Sequence, residues 1–338
     1  MKPLVSILVP AHNAEETIDA AIRSALAQTW SRKEIIVVDD GSKDRTLEIV
    51  ERFGSKVRLV STDNQGAASA RNQAFRLCHG DYIQWLDADD LLAADKIERQ
   101  IQSVQQFDSR RLLLSTSWAP FYYRNRLARF VQNSLCQDLS AADWLIRKLS
   151  ENLHMQTGTW LTSRDLAEAA GPWDTRLLSD DDGEYFCRVL LASEGTRFTQ
   201  GTGVFYRITP SNRLSHIGQS DRKKDAMLIS MKLHMQYLRS LEDSERVRTA
   251  CLTYLQNWYP TFYPERAGIV GEMQNLAAQF GGQLEEPRLR WKFAWMIPVF
   301  GWKIAKRAQS ELPHLKLSCI RCFDRAMYKL ENREIAMR

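Results

Sequence analysis

Short apolar runs alternate with helical segments through the first 110 residues, and this alternation constrains the fold more than any other feature. The apolar runs lie at residues 4–9, 34–38, 57–61 and 82–86. Between the first two runs, apolar residues recur with the period of one helix face, at positions 18, 21, 22, 25 and 26. A β-α-β-α succession with continuously apolar strands is typical of a parallel sheet covered on both faces. The sequence therefore predicts an α/β fold, a doubly wound domain.

Polar clusters follow three of the predicted strands. They are residues 10–13 (Pro10, Ala11, His12 and Asn13), residues 39–42 and residues 87–90. In doubly wound folds, ligands bind beyond the carboxyl ends of the strands. The phosphate-binding patterns G-x-G-x-x-G and G-x-x-x-x-G-K-[ST] are absent from the sequence. Their absence argues against a dinucleotide-dependent dehydrogenase and a P-loop NTPase.

The cluster Asp87-Ala88-Asp89-Asp90 is the strongest chemical signal. Carboxylates at a strand end can hold a divalent cation through oxygen ligands, and Mg²⁺ or Mn²⁺ in turn binds a diphosphate. The alternative is an acidic helix N-terminus that interacts favourably with the helix dipole. Because the cluster lies where α/β folds bind ligands, we favour a metal site for a nucleotide-activated substrate.

Two further loops carry polar side chains that suit a nucleotide. A carboxylate of Asp39 or Asp40 could accept from a pyrimidine N–H or a ribose hydroxyl, although Ser42 could also cap a turn here. Arg71, in an Ala-rich helix predicted over residues 66–77, offers a fork to phosphate or ribose oxygens. Its alternative is a surface arginine on a closely packed helix.

The pattern loosens after residue 120. Helices are expected at 140–150, 163–170 and 181–193, a strand at 203–207, and helices in series from 221 to 280. Gly281-Gly282 and Pro287 indicate a hinge. We therefore predict a catalytic domain at 1–218, a helical extension at 219–286 and an amphipathic tail at 287–338. The domain has a first half (1–110) and a second half (111–218).

Positive charge is concentrated in the tail. Residues 288–338 hold 12 Lys or Arg and 4 Asp or Glu, a net of +8, whereas the whole chain carries only +5. Trp291, Trp295 and Trp302 lie in the same segment. Basic residues beside interfacial aromatics indicate an anionic membrane surface. The alternatives are a solvated helical cap on the body and nucleic acid, and we predict no nucleic-acid partner.

The predicted location is cytoplasmic, peripheral on the inner face of the cell membrane. Six scattered cysteines favour reduced thiols. The N-terminal apolar run is too short for an export signal. No stretch reaches the ~18–20 consecutive apolar residues of a membrane span.

Four motifs in order resemble the family 2 glycosyltransferases with the GT-A fold. They are PAHNAEETIDAAIRSALAQT, IIVVDDGSKDRT, NQGAASARNQA and GDYIQWLDADD, within residues 3–110. A weaker resemblance to the acceptor half of that family runs through residues 155–215, in TSRDLAEAAGPWDTRL, DDDGEYFCRV and VFYRITPSNRLS. The resemblance implies an inverting transfer from a nucleotide-diphosphate sugar, in bacterial polysaccharide or glycan assembly.

The resemblance also implies roles for residues of the donor half. Asp39 or Asp40 would hold the uracil ring, in a base pocket lined by Pro10, Ala11 and His12. Arg71 would contact the nucleotide. Asp87 and Asp89, with Ala88 between them, would form the D-x-D motif, in which Asp89 is the principal metal ligand.

In the acceptor half the family usually has Glu-Asp with an arginine six residues after the Asp. Here Asp181-Asp182 precedes Arg188 with that spacing, so Asp replaces the Glu. The resemblance implies Asp182 as general base, with Glu184 as the alternative in the DDDGE run. His216, in the loop after the predicted strand at 203–207, could reach the diphosphate.

The predicted function is thus sugar transfer from a UDP-sugar to a hydroxyl of a saccharide or lipid-linked saccharide, assisted by Mn²⁺ or Mg²⁺. The enzyme would be a hexosyl- or N-acetylhexosaminyltransferase. One alternative is a nucleotidyltransferase acting on sugar phosphates, which should show a Gly-rich basic loop where this chain has PAHNAEE. The other is a non-catalytic, transferase-like adaptor.

Overall fold

The computed structural model describes residues 2–105, 110–208 and 220–336. The chain divides into two units. The first comprises Met1–Pro120 and Arg129–Tyr254, and the second comprises Phe121–Ala128 and Leu255–Arg338. The predicted domain boundaries at 218 and 286 stay predictions.

Strands and helices of the described residues are numbered in chain order. The strands are β1 (Val5–Ala11), β2 (Lys33–Asp40), β3 (Arg58–Thr62), β4 (Tyr82–Trp85), β5 (Leu91–Leu92), β6 (Leu112–Phe121), β7 (Thr162–Ser163) and β8 (Gly195–Arg207). The helices are α1 (Ile18–Leu26), α2 (Thr46–Glu51), α3 (Ala67–Leu77), α4 (Lys96–Gln102), α5 (Ala141–Ser150), α6 (Arg164–Ala170), α7 (Asp181–Ala192), α8 (Asp221–Leu241), α9 (Glu245–Phe262), α10 (Ala267–Gln279), α11 (Trp291–Ala294) and α12 (Ile297–Ala336).

Five of the described strands form the main sheet of the first unit, in the order β3-β2-β1-β4-β7. The first four are parallel, and β7 is antiparallel to β4. All seven residues of β1 are buried, as expected of a strand covered on both faces. Ala11 pairs with Asp39, and Asp40 pairs with Thr62, so the polar strand ends meet at one edge. A second described sheet has the order β5-β8-β6.

The predicted doubly wound α/β fold with a mainly helical C-terminal region is confirmed. The four strands expected before residue 90 all form, within a few residues of their predicted bounds. Helices α1, α2 and α3 lie between them, as the alternation predicts. The two-residue strands β5 and β7 were not predicted, because two residues are too few to show a strand period.

The first helix begins later than its sequence suggests. Asn13 followed by Glu16 predicts a capped helix start, yet α1 begins at Ile18. Asn13 has a left-handed backbone (φ +49°) and its amide oxygen accepts from the Lys43 N–H at 2.8 Å. The loop after β1 is therefore tied to the loop after β2 instead of entering the helix.

The second unit is helical where it is described, with α10, α11 and α12. Gly301 (φ +76°) interrupts α12 near its start. Arg124 pairs with Asp324 at 2.7 Å and with Glu331 at 3.0 Å, which holds the distal part of α12 against residues 121–128. No helix in the described ranges combines the length and apolar character needed to cross a membrane.

Gly203 in β8 tests the close approach of β8 to β6. A Cβ at Gly203 would lie 2.2 Å from the Ser117 carbonyl oxygen, a backbone atom that cannot move aside. We expect Gly203→Ala to lower the free energy of unfolding by about 1–3 kcal/mol. Gly271→Ala in α10 is the control, because a Cβ there meets nothing within 4 Å and alanine favours helix. Equal denaturation midpoints for the two variants would contradict this packing.

Candidate functional site

Arg71 lies at the centre of the site, in α3. Its Nη2 donates to Asp87 Oδ1 at 2.9 Å and its Nη1 donates to Asp181 Oδ2 at 2.7 Å. The guanidinium lies 4.4 Å from the centroid of the Trp173 ring. Only 6% of the residue is exposed. One buried cation thus joins the carboxylate that follows β4 to the carboxylate that opens α7.

Electrostatics follow from this geometry. Burial alone would lower the pKa of Arg71, but the carboxylates of Asp181 and Asp87 outweigh burial and raise it. Burial raises the pKa of Asp181 to about 6, and the charges of Asp182 and Asp87 add to the rise while Arg71 opposes it. The group holds more negative than positive charge, a composition suited to a cation or to a bound proton.

An aromatic cluster supports the arginine. Trp173 stacks on Tyr185 with ring centroids 4.1 Å apart, and Trp85 of β4 meets Trp173 edge-on at 5.2 Å. Asn72, beside Arg71, holds the backbone of Trp173 from both sides, donating to its carbonyl at 2.9 Å and accepting from its N–H at 2.8 Å. The segment around Trp173 is thereby fixed to α3.

The D-x-D segment lies at the carboxyl end of β4. Asp87 is partly exposed, and its Oδ2 accepts from Gln156 Nε2 at 3.3 Å. Ala88 is buried and Asp89 is partly exposed. Asp90 is fully buried, and its Oδ1 accepts from the Arg207 N–H at 2.8 Å. Asp90 therefore serves the loop, whereas Asp87 and Asp89 reach the surface of the site.

Asp39 and Asp40 are both buried but differ in their partners. Asp40 accepts from the Gln65 and Gly66 N–H groups, each at 2.8 Å, with one carboxylate oxygen apiece. Asp39 uses Oδ2 for Ser61 Oγ at 3.1 Å, while its buried Oδ1 has no hydrogen-bond partner. Asp40 thus fixes the loop before α3, and Asp39 retains an acceptor for a ligand.

The loop after β1 lies beside these carboxylates. Pro10 and Ala11 are buried at the end of the strand, and His12 is exposed. His12 Nδ1 lies 2.8 Å from the Asp40 carbonyl oxygen, and Asn64 Nδ2 lies 3.1 Å from the same nitrogen. The predicted base-pocket residues therefore lie next to Asp39 and Asp40, at the same edge of the sheet.

At the other side of the site, α7 begins with acidic residues in different settings. Asp182 is partly exposed, and its Oδ2 accepts from Thr157 Oγ1 at 3.1 Å. Glu184 is buried, binds Arg188 with both oxygens at 2.7 and 2.8 Å, and accepts from Tyr237 at 2.7 Å. The spacing from Asp182 to Arg188 thus reflects an arginine that pairs with Glu184 one turn before it.

The residues fit a metal ion that the substrate itself helps to bind. Within residues 2–105, 110–208 and 220–336 there is no group of three or more His, Cys, Asp and Glu placed to hold a metal. Mg²⁺-type sites commonly use one or two carboxylates, with phosphate and water oxygens completing the shell. Asp87 and Asp89 can supply two carboxylates at the strand end.

Three residues at the site were not predicted from the sequence. Trp173 lies in the GPWDTRL segment quoted above. A single aromatic residue directly before an Asp is the sequence signal that could have indicated its role. Gln156 and Thr157 orient Asp87 and Asp182, and nothing in their sequence context indicates this. His216 lies outside the described residues.

Residues 6–112 match the family described as glycosyl transferase family 2. This segment belongs to that family, and the resemblance read from the motifs is confirmed. The remainder of the chain lies outside the match. The assignment favours a glycosyltransferase over the nucleotidyltransferase alternative.

Three known proteins illustrate the similarity. The Escherichia coli UDP-Glc:alpha-D-GlcNAc-diphosphoundecaprenol beta-1,3-glucosyltransferase WfgD is 44% identical over 100 residues, 29% of this chain and 40% of WfgD. S. aureus TarS 1–349 in complex with UDP-GlcNAc has a TM-score of 0.64 at 18% identity, covering 83% of this chain and 81% of TarS 1–349. The mannosyltransferase PcManGT from Pyrobaculum calidifontis, in complex with GDP-Man and Mn²⁺, has a TM-score of 0.56 at 18% identity, covering 92% and 85%.

These likenesses have different reach. The chain spans about a third of the length of several curated relatives that it matches. The family match covers residues 6–112, and the structural likeness extends over most of the chain. The structures establish a shared fold of the GT-A type.

The raised pKa of Asp181 gives a pH test. Between the ordinary aspartate pKa of 3.8 and about 6, folded Asp181 holds more protons than the unfolded chain does. Its contribution to the free energy of unfolding therefore falls as the pH rises through that window. Asp181→Asn lacks this titrating carboxylate. We therefore expect the free energy of unfolding of the variant, relative to wild type, to increase from about pH 4 to about pH 7, as measured by urea unfolding.

Asp174→Asn is the matched control. A hydrogen bond from Arg176 lowers the pKa of Asp174, so the stability that it contributes is complete above the ordinary aspartate pKa of 3.8. Its relative stability should stay level above about pH 5. A level profile for Asp181→Asn as well would show that its carboxylate ionises normally.

Proposed function

We propose that this protein is an inverting glycosyltransferase that moves a sugar from a UDP-sugar to a hydroxyl of a saccharide or lipid-linked saccharide. The observation that carries the proposal is the pair of contacts of Arg71, to Asp87 at 2.9 Å and to Asp181 at 2.7 Å. Inversion requires a donor side and an acceptor side that face one anomeric carbon. Arg71 brings the D-x-D segment and the start of α7 to a single site.

The donor side suits a uridine nucleotide. Uracil presents an imide N–H, and the buried, unpartnered Oδ1 of Asp39 is an acceptor for it. Asp40 is less suited to this role, because each of its oxygens already accepts from the loop before α3. The names of two similar proteins carry uridine donors, UDP-Glc for WfgD and UDP-GlcNAc for the TarS complex. They support a uridine donor here, carrying a hexose or an N-acetylhexosamine.

Asp89, with Asp87, would hold Mn²⁺ or Mg²⁺ against the diphosphate. When bound, the ion supplies Lewis-acid stabilisation of the charge on the leaving group. Support comes from the oxygen-rich strand end and from the Mn²⁺ in the PcManGT complex. The motif resemblance gives Asp89 the larger role of the two as a ligand.

Asp182 is the proposed general base. It is partly exposed, and Thr157 orients its carboxylate, whereas both oxygens of Glu184 are bound to Arg188. The acceptor oxygen attacks the anomeric carbon, the bond to the diphosphate breaks, and the hydroxyl proton passes to Asp182. Asp181, paired with Arg71, holds the start of α7 in place. A lipid-linked acceptor is supported by the diphosphoundecaprenol acceptor in the name of WfgD.

Nucleotide preference tests the role of Asp39. Cytosine has a bare ring nitrogen where uracil has the imide N–H, so wild type should prefer UDP to CDP. An amide at position 39 can donate to cytosine, and we expect Asp39→Asn to reduce the UDP:CDP affinity ratio about tenfold or more. Calorimetric titration with Mn²⁺ present measures the ratio. Asp40→Asn, the matched control, should lower the affinity for both nucleotides alike. If the UDP:CDP affinity ratio changed in this variant alone, Asp40 and not Asp39 would be the residue that binds uracil.

Turnover tests the general base and the proposal as a whole. A panel of UDP-sugars with Mn²⁺ or Mg²⁺ should identify a donor from which wild type releases UDP. On that donor we expect Asp182→Asn to keep UDP affinity and lose about 10²–10⁴-fold in turnover. Glu184→Gln should chiefly lower the melting temperature, because it breaks a buried ion pair. The assignment fails if Glu184→Gln loses turnover while Asp182→Asn retains it, and the proposal fails if UDP binds but no donor is turned over.

A further inference from the structure

The second unit presents a face of large apolar side chains to solvent. Trp291 is 80% exposed, Trp295 62%, Val299 66%, Phe300 50% and Ile304 53%. We call these five residues the aromatic face. They lie within 14 consecutive positions, in α11, the turn after it and the beginning of α12. Scattered exposed apolar residues are ordinary, but a cluster of this kind usually marks an interaction site.

The same segment is anchored on its other side. The Trp302 ring meets the Tyr263 ring edge-on at 6.0 Å, and Ala305 is fully buried. Lys306 donates to the Tyr263 carbonyl and to Glu265 Oε2, the latter at 2.8 Å. The second unit therefore holds one side of the segment and leaves the aromatic face outward. The exposure is a consequence of this packing.

The charged residues of the segment that carries the aromatic face all have one sign. Residues 287–310 include six Lys or Arg and no Asp or Glu. Arg288, Arg290 and Lys292 are exposed, and Lys292 Nζ lies 5.8 Å from the centroid of the Trp291 ring. The partner must accordingly be anionic where it meets these side chains and apolar where it meets Trp and Phe.

We infer that the aromatic face binds the surface of an anionic lipid bilayer, with its tryptophans at the headgroup level. A bilayer interface offers both properties together, negative headgroups above an apolar interior. A second copy of this chain would meet the face with the same face in a two-fold dimer, setting Arg288, Arg290 and Lys292 of one copy against those of the other. Such a dimer places like charges together, which disfavours it.

Salt should distinguish the electrostatic contribution to membrane binding from the apolar contribution. Each basic residue near an anionic surface contributes about fivefold in affinity, so removing three should weaken binding roughly a hundredfold at low salt. This contribution is screened as ionic strength rises. Insertion of Trp and Phe buries apolar area and is not screened. Binding should therefore fall with salt to a residual level that depends on the aromatic side chains.

The test is co-sedimentation of the full chain with phosphatidylcholine vesicles that contain or lack phosphatidylglycerol. Three variants are compared with wild type. One combines Trp291→Ser, Trp295→Ser and Phe300→Ser, a second combines Arg288→Gln, Arg290→Gln and Lys292→Gln, and the control combines Ile229→Ser and Leu241→Ser, which replaces exposed apolar residues of α8. We expect wild type and control to bind anionic vesicles, the aromatic variant to lose the salt-resistant part, and the basic variant to lose the salt-sensitive part.

A second measurement uses the unaltered side chains. Brominated lipids in the vesicles should quench the tryptophan fluorescence of wild type. The inference is overturned if wild type stays in the supernatant, or if all variants bind like wild type. It is also overturned if sedimentation velocity without lipid shows a dimer that the aromatic variant abolishes. No sugar nucleotide is present, so the outcome is independent of the proposed transfer.

Discussion

The buried guanidinium of Arg71 is the interaction on which the organisation of the site depends. It bonds Asp87 after β4 and Asp181 at the start of α7, residues 94 positions apart, and rests on Trp173. Removing one partner of such a buried group typically costs about 3–5 kcal/mol, because a charge is left uncompensated. Asn72, the next residue, fixes the Trp173 backbone, so one turn of α3 holds the proposed donor side and the proposed acceptor side in register. The proposed transfer requires that register.

The opening of α7 is held just as firmly from behind. Asp180 has a left-handed backbone (φ +55°), and its Oδ2 accepts from Ser230 Oγ of α8 at 2.5 Å. A Cβ at position 183 would lie 2.1 Å from Asp180 Oδ1, so a larger residue there would displace this carboxylate from Ser230. Glu184 and Arg188 continue the same anchoring one turn later. The acidic run is thus divided between residues that hold the helix and Asp182, whose carboxylate faces Thr157 at the surface of the site.

Much of this could be read from the sequence, and the reasons for the remainder are physical. Strands β1 to β4 and the polar residues after them follow from hydrophobic period and from the rule that ligands meet parallel sheets at their carboxyl edge. The motif resemblance named both halves of the site. Neither period nor motif could distinguish Asp39 from Asp40, because the difference lies in which backbone N–H groups each accepts from. The roles of Gln156 and Thr157 could not be predicted for the same reason. Gln156 contacts Asp87 and Asp90, 69 and 66 positions before it, and Thr157 contacts Asp182, 25 positions after it. The tail showed its charge and its tryptophans, but only packing against Tyr263 shows which side of it faces outward.

The central claim is that Arg71 joins one donor side and one acceptor side into a single transfer site. A crystal structure with a UDP-sugar and Mn²⁺ tests it most directly. The account predicts uracil on Asp39, diphosphate beside Asp87 and Asp89, and the anomeric carbon facing Asp182, with Arg71 still bonded to Asp181. A nucleotide bound away from Asp39, or a sugar turned away from α7, would contradict it.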